Sequence, residues 1–269
     1  MPISSKNKGP FVRFLLRIAV TAALSLPSLV SYAAPVVQLC EDDSYAPFVY
    51  ADPAAPDNPR GATAAWVGEM FERAGISYKI TLMPWARCMN AVQQGIFQVG
   101  LDAYYDSDRA KTFIYSKPYF TLTPQYYYSR RRHPSGLKIA SRRDLKKYQG
   151  CGIQGYSYDH YGLNVFDLDF EANNHSELVE KIEYGRCDYF VEELEIMRGF
   201  SLFGQHYLAD ADLGHGPVPD VPAPQLHFIL GRNNAQSSWL LPFLNEQIRQ
   251  SQLHGTLLSL VNHYLDHVH

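Results

Sequence analysis

The strongest constraint on this chain is an order of elements that runs twice. Residues 36–40 form a short apolar run that reads as a strand. Residues 52–61 carry Pro53, Pro56, Pro59 and Gly61 and read as a loop. Trp66, Met70, Phe71 and Ala74 then recur at helical spacing, with Gly75 as a stop. Residues 78–82 alternate as a strand. Trp85, Met89 and Val92 mark a second helix closed by Gly95, and residues 97–101 read as a third strand. After a polar break at Arg130, Arg131, Arg132, His133, Pro134 and Gly136 the pattern restarts. Residues 151–154 are a strand ending at Gly155. Ser176 opens a helix carrying Leu178, Val179 and Ile182, ended by Gly185, and residues 188–191 are a strand. Residues 208–224 are dense in Pro, Gly and Asp and read as a long loop, followed by a strand at 226–230. Two helices finish the chain, one with Leu240, Leu244 and Ile248, the other with Leu257, Val261 and Leu265. Strands alternating with helices imply parallel sheets covered on their faces. Two such units of about a hundred residues predict two lobes, and the cleft between lobes is a preferred ligand site.

The first 33 residues read as an address. Lys6, Lys8, Arg13 and Arg17 precede an apolar run from Ile18 to Val30, and Ser31-Tyr32-Ala33 places small residues at both cleavage-determining positions. This is the pattern of a secretory signal peptide. A run of about 13 residues is short against the roughly 20 that span a bilayer, which argues against an uncleaved anchor. Removing residues 1–33 leaves 236 residues. It takes four of the 24 basic residues and none of the 27 acidic ones, so the net charge moves from −3 to −7. An acidic, exported chain has no electrostatic footprint for nucleic acid. The local basic stretch of Arg130, Arg131, Arg132, Lys138, Arg142, Arg143, Lys146 and Lys147 reads as a solvated face.

Export also permits disulfides. Cys40, Cys88, Cys151 and Cys187 allow three pairings, or four buried thiols. No CxxC spacing occurs, which argues against a zinc site. His263 and His267, one helical turn apart with Asp266 and His269 nearby, have a spacing that can hold a metal, but a wet chain end accounts for them. No HExxH, GxSxG or P-loop is present. No metal and no cofactor are expected.

Several stretches, in order, resemble bacterial extracellular solute-binding proteins of family 3, the periplasmic polar amino-acid binders of ABC transporters. They are Asp42-Asp43-Ser44-Tyr45-Ala46-Pro47-Phe48 after the opening strand, the segment from Gly95 through Gly100 to Asp106-Ser107-Asp108-Arg109, and Phe113-Ile114-Tyr115-Ser116-Lys117-Pro118-Tyr119. Asp144-Leu145 with Gly150-Cys151-Gly152-Ile153-Gln154-Gly155, Gly185-Arg186-Cys187-Asp188-Tyr189 and the segment from Asn245 to Gly255 complete the set. The resemblance implies an α/β, periplasmic binding protein-like fold with two α/β lobes, a hinge and an interlobe cleft. Lobe one would comprise residues 34–129 plus 226–269 and lobe two residues 130–225, with crossings near 130–134 and 222–226. In the family's strand order Cys151 and Cys187 lie on neighbouring strands, which implies a Cys151–Cys187 bond and leaves Cys40–Cys88 as the other pair.

The resemblance also implies a site. Arg109 matches the family's carboxylate-binding arginine, whose planar fork donates two parallel hydrogen bonds. Glu193 matches the acid that meets the ammonium group; Glu192 beside it must face the other way along a strand. Tyr45 and Trp85 match positions that sandwich the ligand. Tyr156 and Ser157 match a loop entering a helix, where backbone N–H groups bind anions. Asp42 matches an acid that reads basic ligand side chains. Asp102 and Tyr104 depart from the family's small residues and hydroxyls, and Asp102 would repel a ligand carboxylate unless paired, with Arg87 as the candidate partner. The implied function is capture of a small polar, amino-acid-like ligand between closing lobes for a membrane transporter or sensor, by a periplasmic monomer without catalysis. The alternative is an enzyme on the same scaffold, cyclohexadienyl or arogenate dehydratase-like, with Glu193 as general acid.

Overall fold

The computed structural model describes residues 36–266. The expected signal peptide, His267 and His269 lie outside the described residues. Among these, no helix is long and apolar enough to cross a membrane.

Two mixed sheets carry the structure, with elements numbered in chain order. In the first, β5 (Tyr78–Leu82), β1 (Val37–Glu41), β6 (Val99–Tyr104), β14 (Gln225–Gly231) and β7 (Phe113–Tyr115) lie side by side, and β8 (Phe120–Thr121) also pairs with β14. β1 runs parallel to β5 and β6, whereas β14 is antiparallel to its neighbours. In the second the order is β11 (Leu168–Ala172), β10 (Gly150–Ile153), β12 (Tyr189–Glu193), β9 (Pro124–Ser129) and β13 (Leu213–Pro217). β10 is parallel to β11 and β12, and β9 is antiparallel to β12 and β13. In the first sheet β1 sits between β5 and β6, and in the second β10 sits between β11 and β12, which leaves a crevice at the strand ends where the order reverses.

The helices cover the sheets by their apolar stripes. On α1 (Ala62–Arg73), Trp66, Val67, Met70 and Phe71 are buried, and α5 (Ser237–His254) and α6 (Thr256–Asp266) complete that core through Leu240, Leu244, Ile248, Leu257 and Val261. α2 (Trp85–Gln93) turns Trp85, Cys88 and Val92 inward. α3 (His175–Glu183) buries Leu178, Val179 and Ile182 and is capped by the Asn174 side chain, not by Ser176. The short α4 (Leu194–Gly199), unforeseen in the sequence, follows β12 directly.

Both disulfides pair as the resemblance implied. Cys40–Cys88 joins the end of β1 to α2, and Cys151–Cys187 joins β10 to the approach of β12, with Cα separations of 5.6 Å and 5.9 Å. Among the described residues the one metal-like grouping is Cys151, Cys187 and Asp169. Its sulfurs are in the disulfide and are not thiolate ligands.

Three expectations are corrected. Residues 55–60, expected as loop, form the strand β4 (Ala55–Arg60), antiparallel to β3 (Val49–Asp52), which in turn pairs with β2 (Ser44–Tyr45). Prolines 56 and 59 fit there because the strand is an exposed edge. Within the expected long loop at 208–224, residues 213–217 form β13, again an edge. Residues 124–129, counted with lobe one, are a strand of the second sheet. Burial alternates along this run, and the fully buried Tyr127 stacks on Phe190 of β12 at 5.0 Å. The chain therefore passes between the sheets at residues 122–123 and returns at 218–224, not at 130–134. The two passages are bonded to each other by the Leu122 N–H donating to the Pro224 carbonyl at 2.9 Å.

Where α4 meets the turn after β2 the backbones touch. A Cβ on Gly199 would stand 2.4 Å from the carbonyl carbon and oxygen of Ala46. Backbone on both sides cannot yield as a side chain would. Gly199→Ala is therefore expected to cost about 1–3 kcal/mol, measured by urea unfolding; a native midpoint would contradict this contact.

Candidate functional site

The cavity lies at the ends of β1 and β6, between the two sheets. Its volume is about 30 Å³, room for one or two waters in this arrangement of the lobes. Its walls are Tyr45, Trp85, Tyr104 and Tyr156; its polar groups are Glu41, Asp102, Arg109 and Ser157. The first sheet and α2 supply most of these. Tyr156 and Ser157 come from the loop after β10.

Arg109 follows β6 in a tight turn held by Asp106, whose Oδ1 accepts the Arg109 N–H at 2.9 Å. The guanidinium does not pair with Asp106 or Asp108. Its Nη2 crosses to the second sheet's loop and donates to the Gly155 carbonyl at 2.7 Å. Ser157 Oγ reaches back and donates to Asp106 Oδ2 at 2.8 Å. Burial lowers the Arg109 pKa, partly offset by the Asp106 charge.

Asp102 is a bend in β6. Its φ of 43° is left-handed, a region that Asp tolerates better than most residues. Oδ1 accepts hydrogen bonds from Thr63 Oγ1 and Tyr119 Oη, each at 2.8 Å, and the Asp102 N–H donates to the same Tyr119 oxygen. Oδ2 is buried with no hydrogen-bond partner among the described residues. Burial raises this carboxyl to about 7, against the hydrogen bonds from Tyr119 and Thr63. Glu41, at the end of β1, is 3% exposed. Its Oε1 accepts the Asp42 N–H at 2.8 Å, while Oε2 is buried and has no partner among the described residues. Burial and then the nearby Asp102 charge hold Glu41 well above the usual carboxylate range. Sequence reasoning missed Glu41. The signal was available: Val37, Leu39 and Glu41 share one face of β1, and the first two are core.

Glu193 ends β12 and is 1% exposed. Oε2 accepts from Tyr104 Oη at 2.5 Å; Oε1 accepts from Tyr161 Oη at 3.0 Å and meets His160 Nε2 at 3.1 Å. Tyr104 Oη also bonds Tyr45 Oη. Burial opposes ionisation, but the hydrogen bonds from Glu192, His160 and Tyr104 and the His160 charge outweigh it and hold Glu193 at about 2. Glu192 also meets His175 Nε2 at 2.5 Å and is pushed well up by burial and by the Glu193 charge. Burial alone carries His175 down to about 4.

Tyr45, Trp85, Asp102, Tyr104, Arg109, Tyr156 and Ser157 line one cavity. Three other positions stand apart. Arg87 is exposed, because a helix that turns Trp85 and Cys88 inward turns residue 87 out; the partners of Asp102 are Thr63 and Tyr119. Asp42 spends its oxygens on the Trp85 N–H, capping α2, and on Ser44. Glu193 lies behind Tyr104 and outside the cavity lining. The expected helix after Ser157 is a three-residue 3-10 turn, Asp159–Tyr161, so the Tyr156–Ser157 loop does not lead into an α-helix N-terminus.

Two α/β lobes linked by two adjacent passages, with a polar cavity where they meet, define the periplasmic binding protein fold. Solved structures of this fold superpose over most of their length. The substrate-binding protein of an amino acid ABC transporter gives a TM-score of 0.67 at 16% identity, covering 86% of this chain and 99% of that one. The amino acid ABC transporter substrate-binding protein AbpA of Streptococcus pneumoniae, bound to L-arginine, gives 0.69 at 15%, covering 86% and 94%. The ancestral amino acid-binding protein AncCDT-1, a precursor of cyclohexadienyl dehydratase, gives 0.66 at 17%, covering 86% and 95%. No curated protein matches the sequence. The chain belongs to the bacterial extracellular solute-binding proteins, family 3, which match residues 37–267.

Proposed function

We propose that this protein is an exported, monomeric solute receptor. It captures a small polar, amino-acid-like solute between its lobes and presents it to a membrane transporter or sensor. Closure is driven by the solute's greater affinity for the closed arrangement. The observation that carries this reading is the joint presence of the Arg109 guanidinium and unpartnered carboxyl oxygens in one aromatic-walled cavity. A cation and acids lining one cavity suit a zwitterion. Aromatic rings suit its apolar body and add attraction for a positive head. The structural similarity to substrate-binding proteins of amino acid ABC transporters supports the same class.

A dehydratase role for Glu193 fits less well. A general acid needs a raised pKa and reach to the substrate. Glu193 is held ionised and sits behind Tyr104.

Melting-temperature shifts of the mature chain against amino acids and related small acids identify the solute, because a ligand of the folded state raises Tm. For a carboxylate-bearing solute so found, Arg109→Ala is expected to weaken binding by roughly tenfold to a hundredfold, the loss of charged hydrogen bonds. Unchanged affinity in calorimetry would remove Arg109 from the carboxylate site.

A further inference from the structure

We propose that Glu41 and Asp102 together form the cation subsite of this cavity and take the ammonium group of the solute, in place of Glu193. The inference rests on the cavity being the solute site, as read above.

Glu193 is saturated by its own chain. Two tyrosine hydroxyls and a histidine ring occupy its oxygens. An incoming ammonium would have to break these bonds and pass Tyr104, which stands between Glu193 and the cavity. Glu41 and Asp102 are in the opposite condition. Both line the cavity, at 3% and 5% exposure. Each has one oxygen anchored by the protein and one without a partner among the described residues. A buried acceptor left unmade costs about 1–3 kcal/mol. Two such acceptors in one cavity suit a donor-rich cation, and an ammonium carries three donors and no acceptor.

The anchoring defines the direction of approach. Thr63 and Tyr119 hold Asp102 from the core side, and the Asp42 N–H holds Glu41 from the chain side. The left-handed bend at Asp102 falls in the second half of β6, the strand whose end borders the cavity. Tyr45, Trp85 and Tyr156 complete the walls with ring surfaces that favour an organic cation. A hard metal ion is a poor match, since it seeks about six oxygen ligands and the walls are aromatic.

The test is calorimetry on the mature chain with L-lysine, L-tyrosine, tyramine, methylammonium and 3-(4-hydroxyphenyl)propionate. Ammonium-bearing probes are expected to bind, including those that lack a carboxylate, and the propionate is not. Asp102→Asn, which keeps an acceptor for Thr63 and Tyr119, and Glu41→Gln are each expected to weaken the ammonium probes at least tenfold. Arg87→Ala, at an exposed position outside the cavity, is expected to leave them within about threefold. Titration in buffers of different ionisation enthalpy should show proton release on binding, which a purely structural role would not produce. Retained affinity in both Asp102→Asn and Glu41→Gln overturns the inference. So does binding of non-ammonium solutes only. Failure of every solute class to bind the native chain overturns the receptor reading itself.

Discussion

Asp102→Asn is expected to melt on the order of 10 °C higher than the native chain at about pH 8, and close to it at about pH 4. The carboxyl titrates near 3.8 when unfolded and at about 7 in the fold, because burial penalises its charge. Between those values the folded state holds a proton that the unfolded state does not. Stability from this group is therefore full below about pH 4 and is lost as pH rises through 7. A separation of about three pH units corresponds to roughly 4 kcal/mol. Glu41 acts in the same direction, since its pKa is raised by burial and by Asp102. Asp42, Tyr45, Tyr104, Tyr119 and Arg109 complete the titratable surroundings. Scanning calorimetry of both proteins across pH 4 to 9 reads the effect. Parallel pH profiles would show that Asp102 is not buried as an acid. The expected gain in stability alongside lost cation affinity is the exchange typical of binding sites, where unsatisfied groups are kept for the ligand.

Glu193→Ala is expected to destabilise the protein by about 3–5 kcal/mol, as removal of one partner from a buried charged network does. The hydroxyls of Tyr104 and Tyr161 and the His160 ring lose their acceptor at once. Tyr104 belongs to β6 of the first sheet and Glu193 to β12 of the second, so this bond ties the two together. Tyr104→Phe, which removes that bond together with the hydroxyl contact to Tyr45, is expected to shift the chain toward an open arrangement with a larger radius of gyration. Equilibrium unfolding of the two single variants and the double variant gives the coupling energy. Additive effects would mean that Tyr104 and Glu193 do not act as a latch.

Much of the site was legible because it follows local rules and ordered motifs. Arg109 sits in a turn that Asp106 closes within three residues, so its placement depends on few distant atoms. Trp85 reads as an inward residue from helical spacing, and the same spacing places Arg87 outside. Residues 124–129 were misassigned although their alternation is plain, because the period of a strand says nothing about which sheet it joins. Pro56 and Pro59 marked 55–60 as loop, and only the free edge of β3 makes a strand there acceptable.

By itself, the sequence determined what short-range physics controls: two runs of alternating strands and helices, the inward faces of those helices, a family resemblance and, through it, the cysteine pairs. Tertiary structure alone decided which acids are available to a ligand. Glu193 and Asp102 are both buried carboxyls on strands, and nothing local separates them. Tyr104, Tyr161 and His160, up to 89 residues away in sequence, converge on Glu193 and satisfy it. Asp102 receives donors on one oxygen only, and Glu41 likewise. The charge that remains free in this cavity is the difference between those two sets of long-range hydrogen bonds, and such a difference exists only once the chain has folded.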